Sequence, residues 1–319
     1  MTAGADDVFG EADEGGVLPA LASGARVGPY RVVKYLGYYD AVERYEARHR
    51  LGRTHELNLI PVALNFGIRY VEQLKQEVAV RSRVRHSHVV RVFHAGSHGS
   101  HRRLWLSLER TPGAGLREWL AKNGAFEPEA AMRLCAQVAR GVLALEPCLP
   151  APLRLVRGNV HIVNSTTAKV TDRLASNASA SMGAQSLADN WYFSVHGVPG
   201  LGEGPRDQVV FRLGLILFEM VSGRPLFDRG ADASAFRNWR DFRGSTEFGK
   251  AVAVLDHFLA PDASARPLLK AVPSVLHGKG LTLLESPASR IHGESSETHP
   301  VQPEPALDSF AWTLPKRDE

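Results

Sequence analysis

The chain has 319 residues, 44% hydrophobic and 23% charged, with a formal net charge of +4, a composition that fits a globular protein with room for two lobes and tails and excludes a fibrous or low-complexity chain. No apolar run approaches the roughly 18 residues of a membrane span, and the N-terminus is acidic where a secretory signal is basic, so a cytoplasmic chain with no membrane partner is expected. Two cysteines, Cys135 and Cys148, exclude a disulfide or metal framework, and the positive charge forms no long basic run, which argues against a nucleic-acid partner.

Residues 1–25 are rich in Gly, Ala, Asp and Glu without an apolar period and read as a disordered acidic leader. Tyr30 to Gly37 is β-branched and aromatic and ends in a turn glycine, which predicts a strand. Apolar residues near helical spacing predict a helix from Tyr70 to Val84. Val89–Phe93 and Leu104–Leu108 read as two more strands, joined by a polar turn from His94 to Arg103. Helices follow at Leu116–Lys122, Pro128–Leu145, Val209–Val221 and Glu247–Leu259. The stretch 279–319 is dominated by Ser, Glu, His and Pro and reads as a disordered tail. Within it, residues 307–315 alternate Phe310, Trp312 and Leu314 with smaller or polar groups, a pattern suited to a short strand or docking motif; a tail that folds back on its own domain or stays loose is the plainer alternative. A β-rich half followed by an α-rich half, with no βαβ alternation, implies an α+β fold segregated into lobes at 26–110 and 111–278.

Taken with its motifs, this order resembles the protein kinase-like fold from about Tyr30 to Gly278, bacterial Ser/Thr kinases above all. Gly37 stands at the leading glycine of the phosphate loop, Tyr45-Glu46-Ala47 at the second-strand V-Y-x-A, and Glu77 at the glutamate of helix αC. His86-Ser87-His88-Val89-Val90 is similar to the turn after that helix, and Leu106 to Glu109 to the strand entering the hinge. Phe211 to Phe227 resembles the central helix of the C-lobe, and Asp262 to Pro267 the D-P-x-x-R-P near the domain end.

Against that pattern the chemistry is stripped. Asn58 stands where the V-A-I-K lysine would grip ATP phosphates and pair with Glu77, and a short neutral amide does neither, leaving at most a hydrogen bond. Lys75 or Arg81 is the expected substitute partner of Glu77. Only the first loop glycine is kept, with Tyr39 and Val42 at the other two places. Two alignments of the catalytic loop remain open. One places Arg154 at the catalytic base and Asn159 at the metal-binding asparagine, the other places Asn159 at the base; neither supplies a carboxylate. Asp172 keeps the acid of D-F-G, while Ser194-Val195-His196 replaces A-P-E and deprives Arg266 of its glutamate. Arg266 is therefore expected either to find an acceptor such as Asp207 or Asp262 or to be exposed. Val209 replaces the helix aspartate that braces the loop, a brace the altered loop does not need. The Ala175–Ser181 segment is small and polar and forms no defined substrate platform. His94, His98 and His101, beside Arg102 and Arg103, read as a solvated hairpin tip rather than a metal or anion site.

The resemblance therefore implies a pseudokinase with no catalytic residue and no cofactor, acting as a regulatory scaffold for a protein partner such as an active kinase. The alternative is an atypical Ser/Thr kinase or ATP-binding switch, using Gly37, Glu77, Glu109, Asn159 and Asp172 for ATP, the last two for Mg²⁺, with Lys34 as substitute cation. A DNA-associated role for the strip Arg81, Arg83, Arg85 and Arg91 is weaker still.

Overall fold

The computed structural model describes residues 20–39, 42–61, 68–98, 103–148, 155, 157–171, 205–226, 248–260 and 262–277. The first lobe is an antiparallel sheet of six strands, β1 (Arg26–Val27), β2 (Tyr30–Tyr39), β3 (Val42–His49), β4 (Thr54–Pro61), β5 (Val92–His98) and β6 (Arg103–Glu109), in the order β1-β2-β3-β4-β6-β5. Side chains alternate across a strand, so each face gathers its own core. Tyr30, Val32, Tyr45, Ala47, Leu57, Leu59 and Trp105 fill the outer face. Val42, Ile60, Leu104, Leu106 and Leu108 fill the inner face, together with Val78 of helix α1 (Ile68–Arg81).

The second lobe is helical. Helix α2 (Leu116–Asn123) follows the short strand β7 (Ala114–Gly115), and α3 (Pro128–Leu145) begins with a proline, whose missing N–H costs nothing in a first turn. Helix α4 (Pro205–Ser222) is buried at every position from Val209 to Val221, a span apolar on every side except at Arg212 and Glu219. Helices α5 (Gly249–Phe258) and α6 (Val272–Leu276) complete one cluster with α3 and α4. Strands β8 (Val160–Asn164) and β9 (Thr167–Val170) form a second small sheet with β7.

The lobes are joined where the chain leaves α1. Val90 N–H donates to the Val170 carbonyl and Val170 N–H to the His88 carbonyl, both at 2.8 Å. Lys169 on β9 meets the Glu109 carboxylate at 2.7 Å. Gly141 of α3 lies against this junction, where any Cβ would strike the His88 carbonyl and crowd Val170.

The predicted strands and helices are present, with two differences. Val89 and Val90 lie outside β5 because their backbone is spent on β9 of the other lobe, Val89 through a parallel bridge to Val170. The expected turn from His94 to Arg103 is instead strand as far as His98, pinned by the pairing of His94 with Ser107 and by Gly96 packed flat on Trp105. Strands β8 and β9 carry no sequence signal strong enough to predict them.

Candidate functional site

Asn58 lies on β4, facing inward with Glu56 and Ile60, and is 0% exposed. Neither its amide nitrogen nor its amide oxygen has a hydrogen-bond partner. The hydrogen bond open to Asn58 toward Glu77 is therefore not made. Leaving a buried amide unsatisfied costs on the order of 1–3 kcal/mol, a burden seldom kept without a reason. Glu77 is itself buried on α1, as is Arg81 one turn later. Lys75 turns away to Glu72 at 2.8 Å, so it is not the substitute partner.

The neighbouring inward positions are charged. Arg44 on β3 donates from Nε to Glu56 Oε1 at 2.9 Å and from Nη2 to Oε2 at 3.1 Å, a two-pronged fork with the side chains only 14% and 5% exposed. Arg44 takes the place of the valine two residues beyond the third loop glycine, and Glu56 the place of the alanine in V-A-I-K. Neither residue is singled out by the sequence pattern above. Their signal was a charged residue at each of two inward positions on strands otherwise apolar on that face. Further along, Arg110 approaches Glu46 at 3.4 Å.

Gly37 has φ +126°, a conformation L side chains rarely adopt, with open space where a Cβ would stand. Val42, at the third glycine place, is an inner-core residue at 2% exposure and no part of an open loop. Lys34 sits opposite Glu46 but is exposed to solvent, which counts against its use as a substitute cation.

Across the junction, Asn159 donates its side-chain N–H to the Thr171 carbonyl at 3.0 Å and accepts the Thr171 N–H on its own backbone carbonyl at 2.7 Å. Its amide thus serves as a strut. The Thr171 hydroxyl is buried without a partner, and His161 Nε2–H donates to the Pro112 carbonyl, 2.9 Å away. Although Val209 has replaced the bracing aspartate, the loop is still tied to α4. Arg157 reaches Glu219 and Arg212 reaches the Leu155 carbonyl, each at 3.4 Å.

Arg266 stays buried. It donates from Nε and Nη2 to the Ala260 carbonyl, at 2.9 and 2.8 Å, and lies 4.8 Å over the Phe211 ring. This backbone acceptor is one the sequence does not announce, while Asp262 caps the turn at Ser264. Arg154, Asp172, the Ala175–Ser181 segment, Ser194 to His196, the acidic leader and the 307–315 motif lie outside the described residues, as do the side chains of Tyr39 and Asp207.

Glu109 is a structural carboxylate: besides Lys169 it accepts the Arg91 N–H at 3.2 Å, tying β6 to β9 and to the segment that leads into β5. The basic strip is broken up, since Arg81 is buried and Arg91 lies over the Phe93 ring at 4.8 Å. Among the described residues no helix is long and apolar enough to cross a membrane, and no group of three or more His, Cys, Asp or Glu is placed to hold a metal ion. Burial pushes the Cys135 thiol up to about 12, so it is no nucleophile.

His94 and His98 are strand residues, not hairpin-tip residues, and His101 is outside the described residues. On the outer face His49, His55 and His94 gather around Tyr30, whose hydroxyl lies 3.1 Å from His94 Nδ1. Buried His55 is 2.9 Å from Ser107 Oγ. Burial first, then the charges of His49, His94 and Arg53, hold its pKa below that of an ordinary histidine. The unfolded chain therefore binds the extra proton first. Stability is fully present above pH ~6.5 and falls as the pH drops below it. Melting temperature is expected to decline between pH 7.5 and 5.5, and H55Q, which keeps a polar group beside Ser107, to flatten the decline. A slope unchanged by the substitution would refute the assignment.

No protein-family model matches the chain. A curated relative, a probable serine/threonine-protein kinase PknB of Corynebacterium glutamicum, is 23% identical over 186 residues, covering 56% of this chain; the chain spans only about 29% of that relative's length. Two crystal structures of the Mycobacterium tuberculosis PknI kinase domain share the architecture. The C20A form superposes with a TM-score of 0.61 at 19% identity, covering 82% of this chain and 100% of that one, and the C20A_R136A form with 0.60 at 19% identity, covering 82% and 99%. The chain has the two-lobed protein kinase-like fold.

Proposed function

We propose that this kinase-shaped chain transfers no phosphoryl group and acts as a pseudokinase, through its surfaces, on a protein partner such as an active kinase or another signalling enzyme in the cytoplasm. One observation carries the reading: the position of the phosphate-gripping lysine holds Asn58, uncharged, wholly buried and bonded to nothing. Phosphoryl transfer depends almost entirely on positioning and on charge stabilisation of the transferring group. An amide sealed inside a sheet supplies neither. Two further groups suit nucleotide binding poorly: Glu109 spends its carboxylate on Lys169 and Arg91, and Lys34 faces water. The acidic leader and the 307–315 motif are the proposed attachment segments.

The test is a thermal shift with millimolar ATP and Mg²⁺, run beside a radiolabelled transfer assay. Any ligand of the native state raises the melting temperature by mass action. No shift and no transfer are expected. A rise of several degrees, or transfer lost in D172A, would return the chain to the alternative of an ATP-binding switch or atypical Ser/Thr kinase.

A further inference from the structure

Resting on that reading, we infer that the Arg44–Glu56 fork is a built-in plug: the chain's own ion pair occupies the place where the base of a purine nucleotide would lie, and it determines what the cleft refuses. A nucleotide whose phosphates sat near Gly37 and Asn58 would have to extend its base along the inner face of the sheet. Toward Ile60 that face carries Val42, Ile60 and Leu104 packed with Val78 of α1, and the same cluster continues on β6 through Leu106 to Leu108. We place the base on the Glu109 side, over the β3 and β4 positions beside Leu108.

The first inward position that way on β4 is Glu56, level with Leu108, and its partner is Arg44, level with Asn58 on β3. A purine face offers stacking and dispersion and has no group able to satisfy a carboxylate and a guanidinium together. Here the two satisfy each other through both prongs of the fork, with almost no solvent contact. Admitting a base would mean separating two buried opposite charges or displacing both side chains. The bulk of an arginine and a glutamate stands where the family motif has a valine and an alanine. The sheet register holds the plug in place, because neither residue can leave the inner face unless its strand slips by one position.

The plug predicts a gain of binding on removal of two side chains. Adenosine is the probe, since it needs neither the lysine nor the glycine loop that this chain lacks. In ligand-observed NMR and calorimetry, the full-length chain is expected to show no adenosine binding, and R44V/E56A to bind at least about tenfold more tightly than the parent. R44A/E56A gives the same test with a roomier opening if the first variant folds poorly, folding being checked by a cooperative melt. The charge-reversed R44E/E56R keeps a fork and should still exclude the nucleoside, which separates occupancy from the sign of the charges. Adenosine binding by the parent chain, or no gain in either folded neutral variant, overturns the inference. In the second case a flat ATP titration would leave the non-catalytic reading standing, so the two proposals fail separately.

Discussion

Glu56→Ala is expected to cost about 3–5 kcal/mol of folding free energy, because it strands the Arg44 guanidinium in a site only 14% exposed. The loss should be read in urea denaturation as a lower midpoint at unchanged slope, the signature of a stability change in the native state. The paired substitution R44M/E56L should recover most of it, since it removes both charges and keeps their volume. Replacing a buried ion pair with apolar residues of similar size is often neutral or better. A Glu56→Ala variant as stable as the parent would mean that Arg44 reaches water easily, and the fork would then be a poor barrier to anything.

Arg266→Ala is expected to cost about 1.5–5 kcal/mol. The sum has two parts: a backbone carbonyl at Ala260 left without its two donors, roughly 1–3 kcal/mol, and a lost stack on Phe211, roughly 0.5–2 kcal/mol. Arg266→Met keeps the stem and the ring contact but not the donors, so it should fall between the two. Equal stability of the alanine variant and the parent would show that Arg266 no longer anchors the end of the domain. That test bears on function, since this arginine would pair with an A-P-E glutamate in the motif this chain resembles and Ser194-Val195-His196 supplies none. Here the arginine is buried, with the Ala260 carbonyl and the Phe211 ring among its partners.

Similar replacements run through the junction of the lobes. The loop around Arg157 and Asn159 has lost its aspartate brace at Val209, yet Arg157 reaches Glu219 and Arg212 reaches the Leu155 carbonyl. Glu109 and Lys169 bind sheet to sheet. The Asn159 amide N–H adds to this restraint by donating to the Thr171 carbonyl.

Much of the fold was legible because helix and strand are written in local spacing. Pro128 to Leu145 carries its buried positions at helical intervals behind a leading proline, and the structure follows it residue for residue. The departures at Asn58, Tyr39 and Val42 were equally plain, since motif positions are a matter of counting. The sequence of His94 to Arg103 misled, because polar residues outside a core read as a turn even when a partner strand holds them extended. Histidine at 94 stays in β5 through its pairing with Ser107.

Residue order alone settled that the cleft lacks a lysine at position 58 and a full glycine loop, because each is a question about one position and one side chain. Only the tertiary structure decided what stands there instead. Arg44 and Glu56 are twelve residues apart in the chain and meet because the register of β3 against β4 turns both inward. Arg266 finds the Ala260 carbonyl, and Glu109 finds Lys169, through packing that no local pattern encodes. Absence is a property of a position, whereas partnership depends on how distant segments are brought together, and it is the packing of the core that brings them together.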